Sequence, residues 1–401
     1  MRVLLGCVLL SLAACSSTET KEDLGPSGLP DFDREVSLST EWRQQVGQGM
    51  GKAFARMAPT VDESHIYVSD ARGLVQSLAL EDGDVSWEIR LDTELTAGVA
   101  VGQRFAYVAS ANGDVIALDK TNGDEVWRTF VKSEVVSLPV EDKDQLALQT
   151  VDGHLHLLDV NDGVIKWSYD SNLPSLSIRG TSSPLFNGDQ VIAGFANGKV
   201  TAVSRLDGSV VWQERIGIPA GRSELERLVD IDGQLLKQDD LLYVIGYQGH
   251  LAAIDLRSGK MVWKQEASSY HGPIAGLGNL YMVNDQDHIV ALDDRSATEV
   301  WEQVDLHGRQ LTELVMFANH IAVADYEGYV HLVKQLDGSL VGRNQVVRPP
   351  VDWVRGGSYT FKHPSQYFAQ DPGVRTKLVV SGKYLVAANN SGYLTVFELE
   401  E

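Results

Sequence analysis

The sequence predicts an all-β fold, an eight-bladed β-propeller, and three observations predict it. One segment recurs seven times along the 401 residues. Within the best copies two glycines lie ten residues apart, and a tryptophan follows the second glycine by four. An eighth copy is divided between the two ends of the chain. A repeating unit of about forty residues with several short strands is typical of one propeller blade.

The repeat is defined by the spacing of its glycines and its tryptophan. Five copies keep this spacing, and they are Gly73/Gly83/Trp87, Gly113/Gly123/Trp127, Gly153/Gly163/Trp167, Gly198/Gly208/Trp212 and Gly249/Gly259/Trp263. Two further copies are degenerate, and they are Asp287/Ala297/Trp301 and Gly328/Gly338 with Gly342 in the place of the tryptophan. Each copy resolves into three short apolar strands separated by turns, at which glycine supplies the positive φ angle.

The conserved spacing predicts structural roles for the repeated side chains. A tryptophan has a large apolar area, so we expect it to pack between adjacent blades. An aspartate six residues after the first glycine is expected to accept hydrogen bonds within the following turn. These aspartates are Asp119, Asp159, Asp255 and Asp293.

The two ends of the chain are predicted to share one blade. The seven repeats lie near residues 67–91, 107–131, 146–170, 191–216, 241–267, 280–305 and 321–346. An eighth begins at residues 385–398, and the chain stops before its tryptophan strand. Residues 38–46, which contain Trp42, resemble that missing strand. We therefore expect an N-terminal strand to complete the last blade and close the ring, which removes exposed sheet edges.

The N-terminus carries a predicted lipoprotein signal. Residues 1–14 contain Arg2 and then an apolar run that is too short to span a bilayer. The sequence Leu12-Ala13-Ala14-Cys15 resembles the bacterial lipobox, which implies cleavage before Cys15 and lipidation of that residue, including a palmitate-type acyl chain. Ser16, rather than aspartate, then implies the outer membrane, on its periplasmic side. The alternative is an ordinary secretory signal. Residues 15–36 read as a flexible tether, and residues 37–401 as the propeller.

Charge and cysteine content restrict the partners. The formal net charge is −21, so nucleic acid and anionic lipid surfaces are poor partners, and the membrane is expected to be contacted through the lipid anchor alone. Cys7 leaves with the signal peptide, so the mature chain has one cysteine and no internal disulfide.

Three long connections interrupt the repeat, and such insertions usually carry function. Residues 172–180 and 221–232 lie on adjoining blades and mix apolar residues, arginine and carboxylates, a composition that suits one continuous protein interface. The alternative is that both segments fold back onto their own blades. The insert at residues 347–375 is rich in aromatics and proline; it forms either an ordered packed lobe or an accessory binding surface.

The sequence does not favour an enzyme or a cofactor site. The pattern Ala-x-Asp-x-x-x-Gly-x-x-x-Trp at residues 117–127 and 253–263 resembles the tryptophan-docking motif of quinoprotein alcohol dehydrogenases. The chain has no vicinal cysteine pair, no cluster of His and Cys at metal-ligand spacing, no phosphate-binding loop and no nucleophile elbow. A periplasmic dehydrogenase that depends on pyrroloquinoline quinone therefore remains the runner-up interpretation.

Leader, lipobox, polar tether and repeat together resemble the BamB family, the propeller lipoproteins of the machinery that assembles outer-membrane β-barrels. The resemblance covers nearly the whole chain, and its best matches are residues 176–180 and 227–232. In that family the corresponding segments contact BamA, the barrel subunit, through its periplasmic domains. The resemblance therefore implies that partner binding falls to Leu176, Ile178, Arg179, Asp230 and Asp232.

The function implied is that of a non-catalytic scaffold without a cofactor. It would bind BamA and aid the assembly and insertion of outer-membrane β-barrel proteins. Nascent outer-membrane proteins could bind directly at exposed strand edges by β-augmentation, or docking could only set the orientation of BamA. The sequence leaves both routes open.

Overall fold

The computed structural model describes residues 25–49, 57–174, 180–218, 222–223, 228–247, 249–347 and 371–400. Within these ranges the chain forms eight four-stranded sheets, and every neighbouring pair of strands is antiparallel. The innermost strand of the first blade also contacts that of the last, so the sheets form a closed wheel. The predicted eight-bladed propeller is confirmed.

Each blade is a meander that runs from the centre of the wheel to its rim. The inner strands are β2 (Thr60–Val61), β6 (Ala100–Val101), β10 (Val140–Asp142), β14 (Leu185–Asn187), β18 (Leu236–Gln238), β22 (Ile274–Gly276), β26 (Val315–Phe317) and β30 (Val379–Ser381). The second strands are β3 (His65–Ser69), β7 (Phe105–Ala109), β11 (Gln145–Gln149), β15 (Gln190–Gly194), β19 (Leu241–Ile245), β23 (Asn279–Val283), β27 (His320–Ala324) and β31 (Tyr384–Ala388). The third strands are β4 (Leu74–Ala79), β8 (Asp114–Asp119), β12 (His154–Asp159), β16 (Lys199–Ser204), β20 (Gly249–Asp255), β24 (Ile289–Asp293), β28 (Tyr329–Lys334) and β32 (Tyr393–Glu400). The outer strands are β5 (Val85–Arg90), β9 (Glu125–Phe130), β13 (Ile165–Asp170), β17 (Val210–Arg215), β21 (Met261–Ala267), β25 (Glu299–Gln303), β29 (Leu340–Gln345) and β1 (Ser37–Gln45).

The last blade joins the two ends of the chain. Strand β1 pairs antiparallel with β32, with Ser37 opposite Glu400 and Gln45 opposite Tyr393. The order of this sheet is β1-β32-β31-β30, so the N-terminal strand takes the outer position that a hairpin strand fills in the other blades.

The repeat unit has one strand more than its sequence pattern shows. The sequence predicts three strands per unit, and these correspond to the second, third and outer strands. The inner strands contain only two or three residues each, too few for a periodic pattern to be visible. The second and third strands are buried nearly throughout, because neighbouring blades cover both of their faces.

The tryptophan of each outer strand packs on the second glycine of the next blade. A Cβ atom added to Gly123 would lie 2.6 Å from the ring of Trp87, and one added to Gly83 would lie 2.9 Å from the ring of Trp42. The Trp87 indole also donates a hydrogen bond of 2.9 Å to the backbone carbonyl of Lys120 in that next blade. We call this contact the tryptophan–glycine seam, and it confirms the predicted packing role of the tryptophan.

The seam is repeated around the wheel with two departures. Further seams join Trp127 to Gly163, Trp167 to Gly208, Trp212 to Gly259 and Trp301 to Gly338. Trp263 meets the degenerate repeat, where its indole donates to the Asp294 carbonyl at 3.3 Å and Ala297 holds a φ of 56°.

Between the seventh and last blades the next hairpin is replaced by the chain ends. Val36 lies there against Gly342, 3.0 Å from where a Cβ would be. The glycine at the tryptophan position is thus explained by the break in the chain.

The repeated aspartates order the turn before each outer strand, as predicted. Asp119 Oδ1 accepts a hydrogen bond of 2.8 Å from the Thr121 N–H and one of 2.6 Å from its hydroxyl. These hydrogen bonds hold the pKa of the Asp119 carboxyl below its usual value. Asp159, Asp255 and Asp293 accept equivalent bonds from their own turns.

Within the predicted tether of residues 15–36, residues 25–36 lie along the sixth and seventh blades. We call residues 25–36 the strap. The Ser27 N–H donates to the His307 carbonyl at 2.8 Å. Farther along, the carbonyl of Pro30 accepts a hydrogen bond of 3.0 Å from Arg343, whose guanidinium lies 4.7 Å from the centre of the Phe32 ring. These contacts could not be predicted from the composition of the segment, because backbone carbonyls and one aromatic ring make most of them.

Beneath the strap lies a buried charged network. Arg309 is 1% exposed; its Nε donates to Asp325 Oδ2 at 2.8 Å, and its Nη1 donates to the Ser27 carbonyl at 3.0 Å. His331 is fully buried, with Nδ1 accepting from Arg343 at 3.1 Å and Nε2 donating to Asp325 at 2.9 Å. Burial would raise the pKa of Asp325, but the hydrogen bond from His331 and the charge of Arg309 hold it below its usual value. The strap therefore covers Arg309, which is paired with Asp325 and Glu327, and Arg343, which donates to His331, and it accepts one hydrogen bond from each arginine.

Two segments singled out in the sequence fall partly or wholly outside the described residues. Residues 1–24, which contain the predicted signal peptide and Cys15, are among them. So are residues 348–370 of the insert at 347–375. The part of the chain that the structure describes contains no helix long and apolar enough to cross a membrane.

The seam predicts a difference between two glycines of equal backbone strain. Gly123 and Gly278 have φ angles of 80° and 77°, but only Gly123 faces a ring, while nothing lies within 4 Å of a Cβ at Gly278. Gly278→Ala should lower the free energy of unfolding by about 1–2 kcal/mol, the cost of a left-handed alanine. Gly123→Ala should lower it by about 2–4 kcal/mol, because overpacking against Trp87 adds to that cost. Denaturant unfolding of both variants measures the difference, and equal losses would contradict the seam.

The contacts of the strap predict that the substitution of Phe32 makes this segment more sensitive to trypsin. Phe32→Ala removes the cation–π contact with Arg343 and apolar packing on the sixth and seventh blades. Trypsin should then cut after Arg34 about tenfold faster, because local release of the strap costs about 1–2 kcal/mol less. Mass spectrometry of the fragment ending at Arg34 gives the rate. Asp33→Ala, at an exposed position of the same segment, is the control; if both variants are cut at the wild-type rate, the strap is not held by these contacts.

The burial of His156 predicts that the folded protein becomes less stable in acid. It is buried with Nδ1 2.7 Å from Ser168 Oγ, and burial, reinforced by the neighbouring His154, lowers its pKa from 6.5 to about 4. In the unfolded chain the His156 imidazole therefore binds a proton below pH 6.5, whereas in the folded chain it binds one only below about pH 4. The stabilisation is complete above that window and is lost as the pH falls through it. The midpoint of thermal unfolding should fall across the window in the wild type and fall less in His156→Gln; parallel curves would refute the assignment.

Candidate functional site

The two ends of the wheel carry different connections. In each antiparallel meander the turn between the second and third strands lies at the same end as the connection to the next blade. The connections pair with these turns; for example, the Ala111 N–H donates to the Glu94 carbonyl at 2.9 Å, and the Asn390 N–H donates to the Gly373 carbonyl at 2.8 Å. We call this end the loop face and the opposite end, which carries the other two turns of each blade, the hairpin face.

Both stretches that the sequence predicted as a partner surface belong to the loop face. Residues 172–180 connect the third blade to the fourth, and residues 221–232 connect the fourth to the fifth. Leu176, Ile178 and Arg179 lie outside the described residues, as do residues 219–221 and 224–227. Asp230 and Asp232 lie inside them.

The second stretch is packed between the fourth and fifth blades. Ile231 is 1% exposed and belongs to the apolar cluster that joins these blades, and Val229 packs on Gly198 and Gly217. The carbonyl of Asp230 accepts a hydrogen bond of 3.0 Å from the Tyr247 N–H. The apolar residues of this stretch therefore pack between the fourth and fifth blades. This packing fixes the backbone of the acidic residues that alternate with them.

The two predicted aspartates are buried in this chain. Asp230 is 1% exposed and Asp232 is 8% exposed. The sequence placed both aspartates in a partner surface, and burial of a carboxylate requires compensating partners. Both residues take part in further polar or electrostatic interactions. Asp232 lines a cavity at this end of the wheel.

The structure brings the ends of the two stretches together. Gly180 lies directly on the carboxylate of Asp232, with no space for a Cβ atom between them. The residue that follows Arg179 in the sequence therefore touches the last aspartate of the second stretch. Sequence reasoning placed both stretches on adjoining blades, and this contact shows that their ends meet on one face.

A central cavity of about 150 Å³ opens beside Asp232 at the hub of the loop face. Lys377 bridges it. Its Nζ donates to Gln234 Oε1 at 2.6 Å and pairs with Glu313 Oε1 at 2.8 Å, so one ammonium group joins the fifth, seventh and last blades. Among the described residues no group of three or more His, Cys, Asp or Glu side chains could hold a metal ion.

A second cavity of about 300 Å³ adjoins the first, and sequence reasoning missed it. Its lining comes from four separate connections and turns of the loop face and includes Tyr270, Asp285, Asp287 and Leu311. His271 and Arg375 line both cavities. The one signal in the sequence was Asp287, which stands where six other repeats have their first glycine.

The family relationship is clear from the sequence. The family model described as outer membrane protein assembly factor BamB matches residues 71–303. The outer membrane protein assembly factor BamB of Pseudomonas aeruginosa is 40% identical over 97% of this chain and 96% of its own length. That of Escherichia coli is 33% identical over 84% of this chain and 88% of its own length.

Solved structures support the fold. The crystal structure of BamB from Moraxella catarrhalis superimposes with a TM-score of 0.77 at 24% identity, covering 90% of this chain and 99% of that one. A europium-containing methanol dehydrogenase superimposes with a TM-score of 0.67 at 12% identity, covering 90% of this chain and 93% of that one. The likeness to the dehydrogenase is one of fold alone, whereas the sequence relatives are named assembly factors. The chain belongs to the BamB family of outer membrane protein assembly factors.

Proposed function

We propose that this chain is a non-catalytic scaffold lipoprotein that docks on BamA through the periplasmic domains of that subunit and aids the assembly and insertion of β-barrel proteins. The observation that carries the proposal is the contact of Gly180 with Asp232. It supports one continuous partner surface on the loop face, because the two stretches that resemble the family's contact segments end side by side.

We assign different tasks to the five predicted residues. Leu176, Ile178 and Arg179 would supply the apolar anchors and the cation that protein interfaces favour at their centres. Asp232 would meet the partner through the mouth of the central cavity. Asp230, which is buried and bound to Tyr247 through its carbonyl, would hold the segment in place.

The proposal includes an anchor at Cys15. Cleavage of the signal peptide over residues 1–14 and lipidation of Cys15 would hold the wheel at the periplasmic side of the outer membrane. The strap supports a defined geometry for this anchor, because Ser27 is bound to His307 and Asp305 in the connection between the sixth and seventh blades. The anchored chain would therefore approach the wheel at the loop face.

Binding to BamA tests the proposal. Asp232→Asn keeps the shape of the side chain and removes its charge, and Arg179→Ala removes the predicted cation. Each should weaken the affinity of the full-length chain, in detergent, for the purified periplasmic region of BamA by about 1–3 kcal/mol. Asp240→Asn, at an exposed position of the hairpin face, is the matched control and should bind as the wild type does.

Folding must be checked in the same experiment, because Asp232 is buried. Variants whose thermal unfolding midpoint equals that of the wild type report on the interface alone. Wild-type affinity in both well-folded variants would refute the surface. Absence of binding by the wild-type chain would refute BamA as the partner.

A further inference from the structure

Tyr270, which lines the second loop-face cavity, stacks on Tyr247. The rings of Tyr247 and Tyr270 lie 4.4 Å apart, with 19° between their planes. Tyr270 is 40% exposed, so the outer face of the stack is open to solvent. The pair stands in the turn after β19 and in the connection after β21, which places it between the fifth and sixth blades.

The lining of this cavity also contains two acidic residues. Asp287 Oδ2 accepts a hydrogen bond of 2.8 Å from the Gln310 N–H, and Oδ1 accepts one of 3.0 Å from the Leu311 N–H. Asp287 has a φ of 62°, a conformation that favours glycine. The carboxylate is therefore held at this position at the cost of some backbone strain. Asp285, two residues earlier, is exposed at the rim of the cavity.

The charges of the cavity favour a cation. Two carboxylates, Asp285 and Asp287, face one guanidinium, Arg375, while His271 uses Nε2 in a contact of 3.1 Å with the Leu311 carbonyl. Burial, together with the hydrogen bond to Tyr247, raises the pKa of the Tyr270 phenol, so the Tyr270 ring remains neutral. A neutral aromatic face beside carboxylates is the surrounding that a guanidinium or an ammonium group prefers.

The cavity is continuous with the proposed partner surface. His271 and Arg375 line both this cavity and the central one, and Asp232 lines the central cavity. The backbone N–H of Tyr247 donates to Asp230, which belongs to the proposed contact segment. A protein seated across the central cavity would therefore reach the tyrosine pair without leaving the loop face.

We propose that the cavity between Tyr270 and Asp285 is a second contact for the same protein partner and receives a basic side chain, arginine or lysine, from it. This inference rests on the proposed function for the identity of the partner. The cavity volume of about 300 Å³ is sufficient for one side chain and lies at the lower end of the range of ligand pockets. Arginine fits best, because its planar guanidinium can stack on Tyr270 while it donates to Asp285.

The main experiment measures the affinity of the full-length chain, in detergent, for the periplasmic region of BamA. Tyr270→Ala and Asp285→Asn should each weaken binding about tenfold. Tyr270→Phe keeps the stack and should bind within about threefold of the wild type. Asp240→Asn on the hairpin face is the matched control for loss of one exposed carboxylate. Binding by Tyr270→Ala and Asp285→Asn equal to that of the wild type would overturn the cavity proposal and leave the proposed function standing.

A direct probe separates the cavity from the identity of the partner. If the wild-type chain does not bind BamA, the proposed function fails, and saturation-transfer NMR with N-acetyl-arginine amide then tests the cavity alone. The wild type should bind this probe saturably and Asp285→Asn should not. Absence of saturable binding, or preferential binding of N-acetyl-glutamate amide through Arg375, would overturn the proposal.

Discussion

The contact of a tryptophan with a glycine in the next blade is the constraint on which the wheel depends. The indole packs on backbone that carries no side chain, and any side chain on Gly123 or its counterparts would collide with the ring. The indole N–H also bonds to the backbone of the next blade, as Trp87 does at 2.9 Å, so each seam fixes both distance and orientation. Because six such seams repeat around the wheel, successive blades pack in a similar way, and the wheel closes after eight blades.

The rigid wheel leaves recognition to one end. The hub of the loop face is bridged by Lys377, so the central cavity is a shallow charged depression between blades. Around it lie the end of the first predicted stretch, the packed second stretch and the tyrosine-lined cavity. These elements come from connections far apart in the sequence, and the wheel gathers them on one surface. A partner would meet a preformed surface, which lowers the ordering cost of binding.

The fold could be predicted because the tryptophan–glycine contact between blades produces a recognisable pattern in the sequence. Glycine and tryptophan at fixed spacing report the seam directly, and Gly342 reports the one interface where the chain ends replace a hairpin. The inner strands could not be predicted, since two or three residues carry no pattern. The binding of the strap was missed for another reason: polar, proline-containing segments resemble linkers, and Phe32 alone does not show that Arg343 lies beneath it.

The candidate site was predictable only in part. The long connections marked the loop face, but not the burial of Asp230 and Asp232, because the packing of Val229 and Ile231 depends on glycines in other turns. The second cavity could not be predicted, since its lining comes from four connections and turns that lie far apart in the sequence. Asp287 at a glycine position was the one local sign of it.

The central claim is that one face of the wheel recognises the partner. Photo-crosslinking in intact cells tests it most directly, with a crosslinking amino acid placed at Ser183 or Gln234 on the loop face and at Leu206 or Leu336, which are 89% and 78% exposed, on the hairpin face. The account predicts crosslinks to BamA from the first pair and none from the second. Crosslinks to BamA from Leu206 and Leu336 alone would contradict it.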